Sequence, residues 1–110
     1  MAITYKILGQ SSPAANTLTT LYAVPMGYSA ATSTLSICNQ NATDATYRIA
    51  VRPANATIDF KHYVAYDTPV FGYDTVSLTI AMTLDTYDVV SVSSNLTNVS
   101  FSLFGSEINS

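Results

Sequence analysis

Apolar and polar residues alternate along most of this chain with a period of two, and the alternation is broken by Pro, Gly, Asn and Asp. Period two is the signature of a strand that turns one face to a core and the other outward. Residues 3–8 (ITYKIL) open as a strand, and Gly9 and Pro13 punctuate the stretch that follows. Residues 18–25 (LTTLYAVP) form a second strand closed by Pro25. After the turn MGYS, residues 32–39 (TSTLSICN) form a third, with Leu35 and Ile37 on one face. The polar turn QNATD leads into residues 44–54 (DATYRIAVRPA), where Tyr47, Ile49 and Val51 share one face and Thr46, Arg48, Ala50 and Arg52 the other. Residues 60–67 (FKHYVAYD) are extended, and TPVFGYD bends. Residues 75–84 (TVSLTIAMTL) read as one long strand, with Val76, Leu78 and Ile80 alternating against Ser77 and Thr79. Residues 89–94 (VVSVSS) and 99–105 (VSFSLFG) complete the set.

About eight short strands, joined by polar turns and with no helical period between them, predict an all-β antiparallel β-sandwich. Jelly-roll, immunoglobulin-like and small-barrel topologies all fit that count. No linker or composition shift divides the chain, so residues 1–110 read as one domain.

Composition sharpens this picture. Hydrophobic residues make up 48% of the 110 and charged residues only 10%, against roughly 25% charged in an ordinary domain. Fifteen Thr and thirteen Ser stand where Lys and Glu usually sit, and Glu107 is the only glutamate. Such outward faces are neutral and lose little on desolvation, which suits a surface covered by neighbouring protein and equally a robust extracellular surface. The net charge of −3 argues against a nucleic-acid partner, which calls for a basic field. No apolar run reaches the length of a membrane span. The stretch MAITYKILGQSSPAAN lacks the apolar core of a signal peptide, so synthesis in the cytoplasm is expected. Sequons at Asn41, Asn55, Asn95 and Asn98 are then coincidences of an Asn- and Thr-rich chain.

Candidate chemistry is sparse. Cys38 and His62 are the lone cysteine and histidine. Without a second ligand at metal spacing they predict neither a zinc site nor a catalytic pair, and Cys38 reads as a buried, inert thiol. Asp85 and Asp88 in DTYD can hold a hard cation weakly, but turn formation explains them better. No nucleophile elbow, metalloprotease motif or phosphate loop occurs. Catalytic, cofactor and metal sites are therefore expected to be absent. Tyr28, Tyr63, Tyr66 and Tyr73 lie in or near loops and can stack on sugars; packing at a sheet rim accounts for them more simply.

Two of the four basic residues, Arg48 and Arg52, share one strand face. Four residues of strand separate them by about 13 Å, too far to grip one phosphate together. Each can reach a different carboxylate on a neighbouring strand or chain, and the planar guanidinium suits such pairing. They are the candidate partner contacts.

The segments MAITYKILGQ, TLYAVP, YRIAVRPA, KHYVAYD and FSLFGSEI, in this order, resemble small virion structural proteins of tailed bacteriophages, above all those of phages infecting cyanobacteria. The resemblance spans nearly the whole chain and implies a particle component located in the virion. It carries over no catalytic residue. Together with the small size and neutral exterior, it leads to the expectation of a non-enzymatic capsid decoration or cement protein. The expected partners are further copies of itself, as trimers or larger rings, and the major capsid protein or other virion proteins. A tail, neck, baseplate or fibre-associated module and a host-surface carbohydrate-binding module are the alternatives.

Overall fold

The structure is a computed structural model and describes residues 2–109. Among these, nine strands form two antiparallel sheets. In chain order they are β1 (Ala2–Ser11), β2 (Thr19–Ala23), β3 (Tyr28–Asn39), β4 (Ala45–Arg52), β5 (Tyr63–Val70), β6 (Thr75–Thr79), β7 (Thr83–Leu84), β8 (Val89–Ser94) and β9 (Val99–Asn109). One sheet runs β1-β9-β3-β6, with β7 also paired to β3; the other runs β2-β8-β4-β5.

The ninth strand comes from a break in the long strand expected over residues 75–84. Ala31 pairs with Thr83 and Thr34 with Thr79, so two residues of β3 face three between β6 and β7. Thr32 fills the gap. Its hydroxyl donates to the Ile80 carbonyl at 2.6 Å and accepts from the Met82 amide at 3.0 Å. A side chain replaces a rung of the ladder, and the edge bends there. With β6 and β7 counted as one interrupted strand, eight remain. The first pairs the last, the second the seventh, the third the sixth and the fourth the fifth. This is the jelly roll, a long hairpin wound into two interleaved Greek keys, and it resolves the topology that strand count left open.

The core lies between the sheets. Leu35 and Ile37 of β3, Ile49 of β4, Val92 of β8 and Phe101 and Leu103 of β9 are all inaccessible to solvent. Tyr47 meets Phe101 edge to face, with ring centres 6.5 Å apart, a favoured aromatic geometry. Val51 completes the inward row of β4 at the rim of this cluster.

Other differences from the sequence pattern are local. β1 passes Gly9 and continues to Ser11, with a bulge between Ile7 and Gly9. A Cβ at Gly9 would overlap the backbone carbonyl of Leu21, so only glycine lets β1 and β2 approach this closely. The Thr68–Val70 bend is the end of β5. Cys38 is half-buried rather than fully buried: Leu35 and Ile37 claim the core face of β3, and alternation sends Ser36 and Cys38 outward.

Alternation also inverts in β1. The inward row of its first half is Thr4 and Lys6, and Ile3, Tyr5 and Ile7 point out from the sandwich at 53%, 82% and 52% exposure. Glu107 explains the inversion. It lies 9% exposed between the sheets, accepting from the Tyr22 hydroxyl of the opposite sheet at 2.6 Å and from Lys6 at 3.1 Å. The Tyr22 hydrogen bond, aided by Lys6 and opposed by burial, holds the Glu107 carboxyl below the usual range. Burial, followed by the neighbouring carboxylate, pushes the Tyr22 phenol well above its ordinary range. The polar side chains of β1 face this staple, so its apolar ones face away.

Candidate functional site

The outward face of the β2-β8-β4-β5 sheet carries the candidate contacts. Arg48 projects from β4, and two irregularities in β5 set what it meets. Tyr47 pairs with Thr68 and Ile49 with Ala65, so Tyr66 and Asp67 both lie opposite the single residue Arg48. Asp67 takes up the extra length with φ of 50°, a conformation more accessible to Asp than to most side chains. The bulge aims its carboxylate back along the sheet. Arg48 Nε donates to Oδ1 at 2.6 Å and Nη2 to Oδ2 at 3.1 Å, a bidentate fork.

The guanidinium also sits 4.0 Å from the ring centre of Tyr66, within cation–π range. Tyr63 meets Tyr66 edge to face at 5.0 Å, and Phe60 meets it at 6.4 Å. Asp67's hydrogen bond keeps Arg48 protonated far above neutrality, and Arg48's holds the Asp67 carboxyl below its usual range. Both are charged at neutral pH and nearly cancel. Beside them lies a cleft of about 360 Å³ lined by Thr46, Arg48, Tyr63, Asp67, Ser93 and Asn95. Phe60, at 80% exposure, stands at the edge of the aromatic cluster.

Arg52 is placed differently. Its Nε donates to Ser91 Oγ at 3.3 Å and its Nη1 to the Ala56 carbonyl at 3.1 Å. It ties the connection between β4 and β5 down onto the sheet, which explains why Ala50 and Ser91, on the outward face, are shielded from solvent. Pro53–Asn55 and Phe60–His62 form 3-10 turns in that connection. His62 closes the second turn: its Nδ1 accepts from the Asp59 amide at 3.0 Å, and Asp59 Oδ1 accepts from the Phe60 amide at 2.7 Å. The two arginines thus share a face without forming one site.

The remaining candidates scatter. Cys38 lies on the outward face of one sheet and His62 over the outward face of the other. Asp88 accepts from the amides of Asp85 and Ala54, and Asp85 from that of Thr86, so the DTYD carboxylates hold turns. Among the described residues no three His, Cys, Asp or Glu side chains gather where a metal could be held. No helix there is long and apolar enough to cross a membrane. Of the loop tyrosines, Tyr63 and Tyr66 cluster, Tyr28 packs at the core rim and Tyr73 stands 77% exposed on the β5–β6 turn.

Sequence spacing missed two features. Asp67 is 19 residues from Arg48, and only a bulge brings it opposite. The outward apolar row of β1 was visible as the alternation in ITYKI, but its direction depends on where Glu107 lies.

No family model matches the chain, and no curated protein matches its sequence. Solved structures do. Over 99% of its length the chain is similar to 98% of a chain in the acid-stable capsid structure of Helicobacter pylori bacteriophage KHP30, with a TM-score of 0.50 and 16% identity. A chain in the structure of the infectious bursal disease virus Gx strain is matched over 96% of this chain but 32% of its own length, at 12% identity and a TM-score of 0.49. At 16% identity the likeness to the KHP30 chain is one of fold.

Proposed function

We propose that this protein is a non-enzymatic structural component of a phage virion, a decoration or cement protein on the outer face of the capsid. The observation that carries this reading is the end-to-end likeness to a chain of a phage capsid. Coverage of 99% and 98% means two chains of nearly equal length share one jelly roll, rather than this chain matching one domain of a larger shell subunit. Fold alone does not fix function, and the surface supports the reading independently. The outward faces are rich in Ser and Thr, and beside exposed Ile, Val and Met side chains they present three further types, Tyr, Phe and Arg. Those three types concentrate binding energy in protein interfaces. Phe60, Tyr66 and the Arg48–Asp67 pair form the patch that meets the shell. The pair is already neutralised, so a neutral partner can cover it without stranding a charge.

Quantitative mass spectrometry of purified virions tests this. A cement protein repeats with the shell symmetry and gives on the order of hundreds of copies per particle. A few to a few tens would reject it and assign the sandwich to the tail, neck or baseplate.

A further inference from the structure

The first half of β1 is built as though something were missing beside it. β1 is the edge of its sheet, and every residue from Ala2 to Ile7 is exposed although the segment is regular strand. Its backbone partners lie on one side only, in β9. The free side offers a row of unpaired amides and carbonyls, and above it stand Ile3, Tyr5 and Ile7. Protein edges are normally guarded by a charge in the outward row, a proline, a bulge or a covering loop. Among the described residues no proline, covering loop or outward charge guards this stretch: the bulge comes only after Ile7, and the one charge, Lys6 on the inward face, is neutralised by its pair with Glu107.

We propose that this edge is a self-recognition surface, on which β1 of a second copy pairs antiparallel across a two-fold axis and joins the two sheets into one. The row is uncharged and symmetric about Tyr5, so a second copy in two-fold register matches it. Ile3, Tyr5 and Ile7, with Phe104, Ser106 and Ile108 beside them on β9, carry no charge, so a second copy brings no repulsion to the seam although each chain is net −3. An axis normal to the sheet keeps the outward row outward in both copies, and one residue must then face itself. With Tyr5 on the axis, Ile3 faces Ile7 of the other copy and every apolar side chain meets an apolar one. One residue's slip would throw the row onto the opposite face.

Six residues of strand span about 20 Å. Pairing along that length buries roughly 600–700 Å² in total, about two-fifths of a standard interface. The dimer is therefore weak when free, with a dissociation constant on the order of 0.1–1 mM. Copies held side by side on a common surface pair far more readily. The inference is independent of the capsid reading, because it concerns only how copies of this chain meet.

The test uses residue 5, since a self-facing position must show charge complementarity with itself. Sedimentation equilibrium from roughly 10 μM to 1 mM is expected to show dimers of the unaltered chain at the upper end. Tyr5→Lys and Tyr5→Glu, at an 82% exposed position, keep the monomer circular dichroism spectrum. Each alone weakens dimerisation at least tenfold, and the two mixed form a heterodimer at least as tight as the unaltered dimer. Ser29→Lys, on the same face but two strands from the edge, leaves association unchanged. A chain monomeric throughout would overturn the proposal, as would a trimer, equal association of Tyr5→Lys, or no rescue on mixing. Amide protection of β1 that arises only on the particle, from a chain monomeric in solution, would assign the edge to a shell subunit instead.

Discussion

Replacing Glu107 by Gln tests whether the buried staple holds the two sheets together by its charge. The substitution keeps the shape and removes the carboxylate that Tyr22 and Lys6 share. The Tyr22 bond, at 2.6 Å, becomes a neutral pair and loses about 1 kcal/mol, the difference between charge-assisted and neutral hydrogen bonds. The Lys6 pair is half open to water, with 44% of the lysine side chain exposed, so its loss is discounted to about 0.5 kcal/mol. The sum, about 1.5 kcal/mol at pH 7, corresponds to a fall in Tm of about 6–7 °C for a chain of this length.

The pH dependence separates charge from packing. Glu107's carboxyl is depressed in the folded state. Its contribution is therefore present above the unfolded value, about pH 4.3, and is lost as pH falls through the lower, folded value. Asp67 is depressed in the same direction, but it is common to both proteins and cancels in the difference. Thermal melts followed by circular dichroism from pH 7 down to pH 3 should show the two curves converging at the acid end. Tyr22→Phe, alone and combined with Glu107→Gln, should give a coupling of about 1 kcal/mol. A Glu107→Gln penalty as large at pH 3 as at pH 7, or additive behaviour with Tyr22→Phe, would refute the assignment to charge and leave only a shape effect.

Two further predictions concern the bulged strands. Arg48→Ala should leave Tm nearly unchanged, because the Asp67 pair is exposed and screened by solvent, yet weaken particle binding in a co-sedimentation assay; Arg52→Ala should do the reverse, lowering Tm and exposing the connection between β4 and β5 to limited proteolysis. Gly9→Ala should cost about 2–3 kcal/mol by forcing β2 away from β1, read as a drop in denaturant midpoint at unchanged m-value.

Period two alone located most strands and the core face of β4. It also contained the orientation of Cys38, since Leu35 and Ile37 on the core face oblige Cys38 to face out; the burial typical of cysteine pointed the other way and was overruled by geometry. The sandwich topology was not legible, because the jelly roll pairs residues as distant as Ala2 and Asn109, and no local pattern encodes such a register. The arginines were half legible. Their common face and separation followed from strand geometry. Their partners did not: Asp67 reaches Arg48 through a bulge, and Arg52 bonds a carbonyl four residues on, in a segment that folds back over the sheet.

The failures of simple alternation share a physical pattern. In β5 and β1 the strand adds an extra residue or turns its apolar row outward where something outside the hydrophobic count fixes a side chain. In β5 the bulge serves the Arg48–Asp67 fork, whose aromatic surround is exposed. In β1 the Glu107 staple takes the inward positions, and the apolar residues are left on an open edge. A sequence selected only for a stable monomer would gain by making Ile3, Tyr5 and Ile7 polar, since each loses nothing in the core by the change and the edge becomes safer against association. Their presence at exposures above half is accounted for by burial that the single chain does not supply. The same reasoning applies to Phe60 and Tyr66 on the other sheet. The two patches lie on opposite outward faces of the sandwich, so one can engage another copy while the other engages a different protein. A small unit that links neighbours within a layer while gripping the layer beneath needs two such separate surfaces.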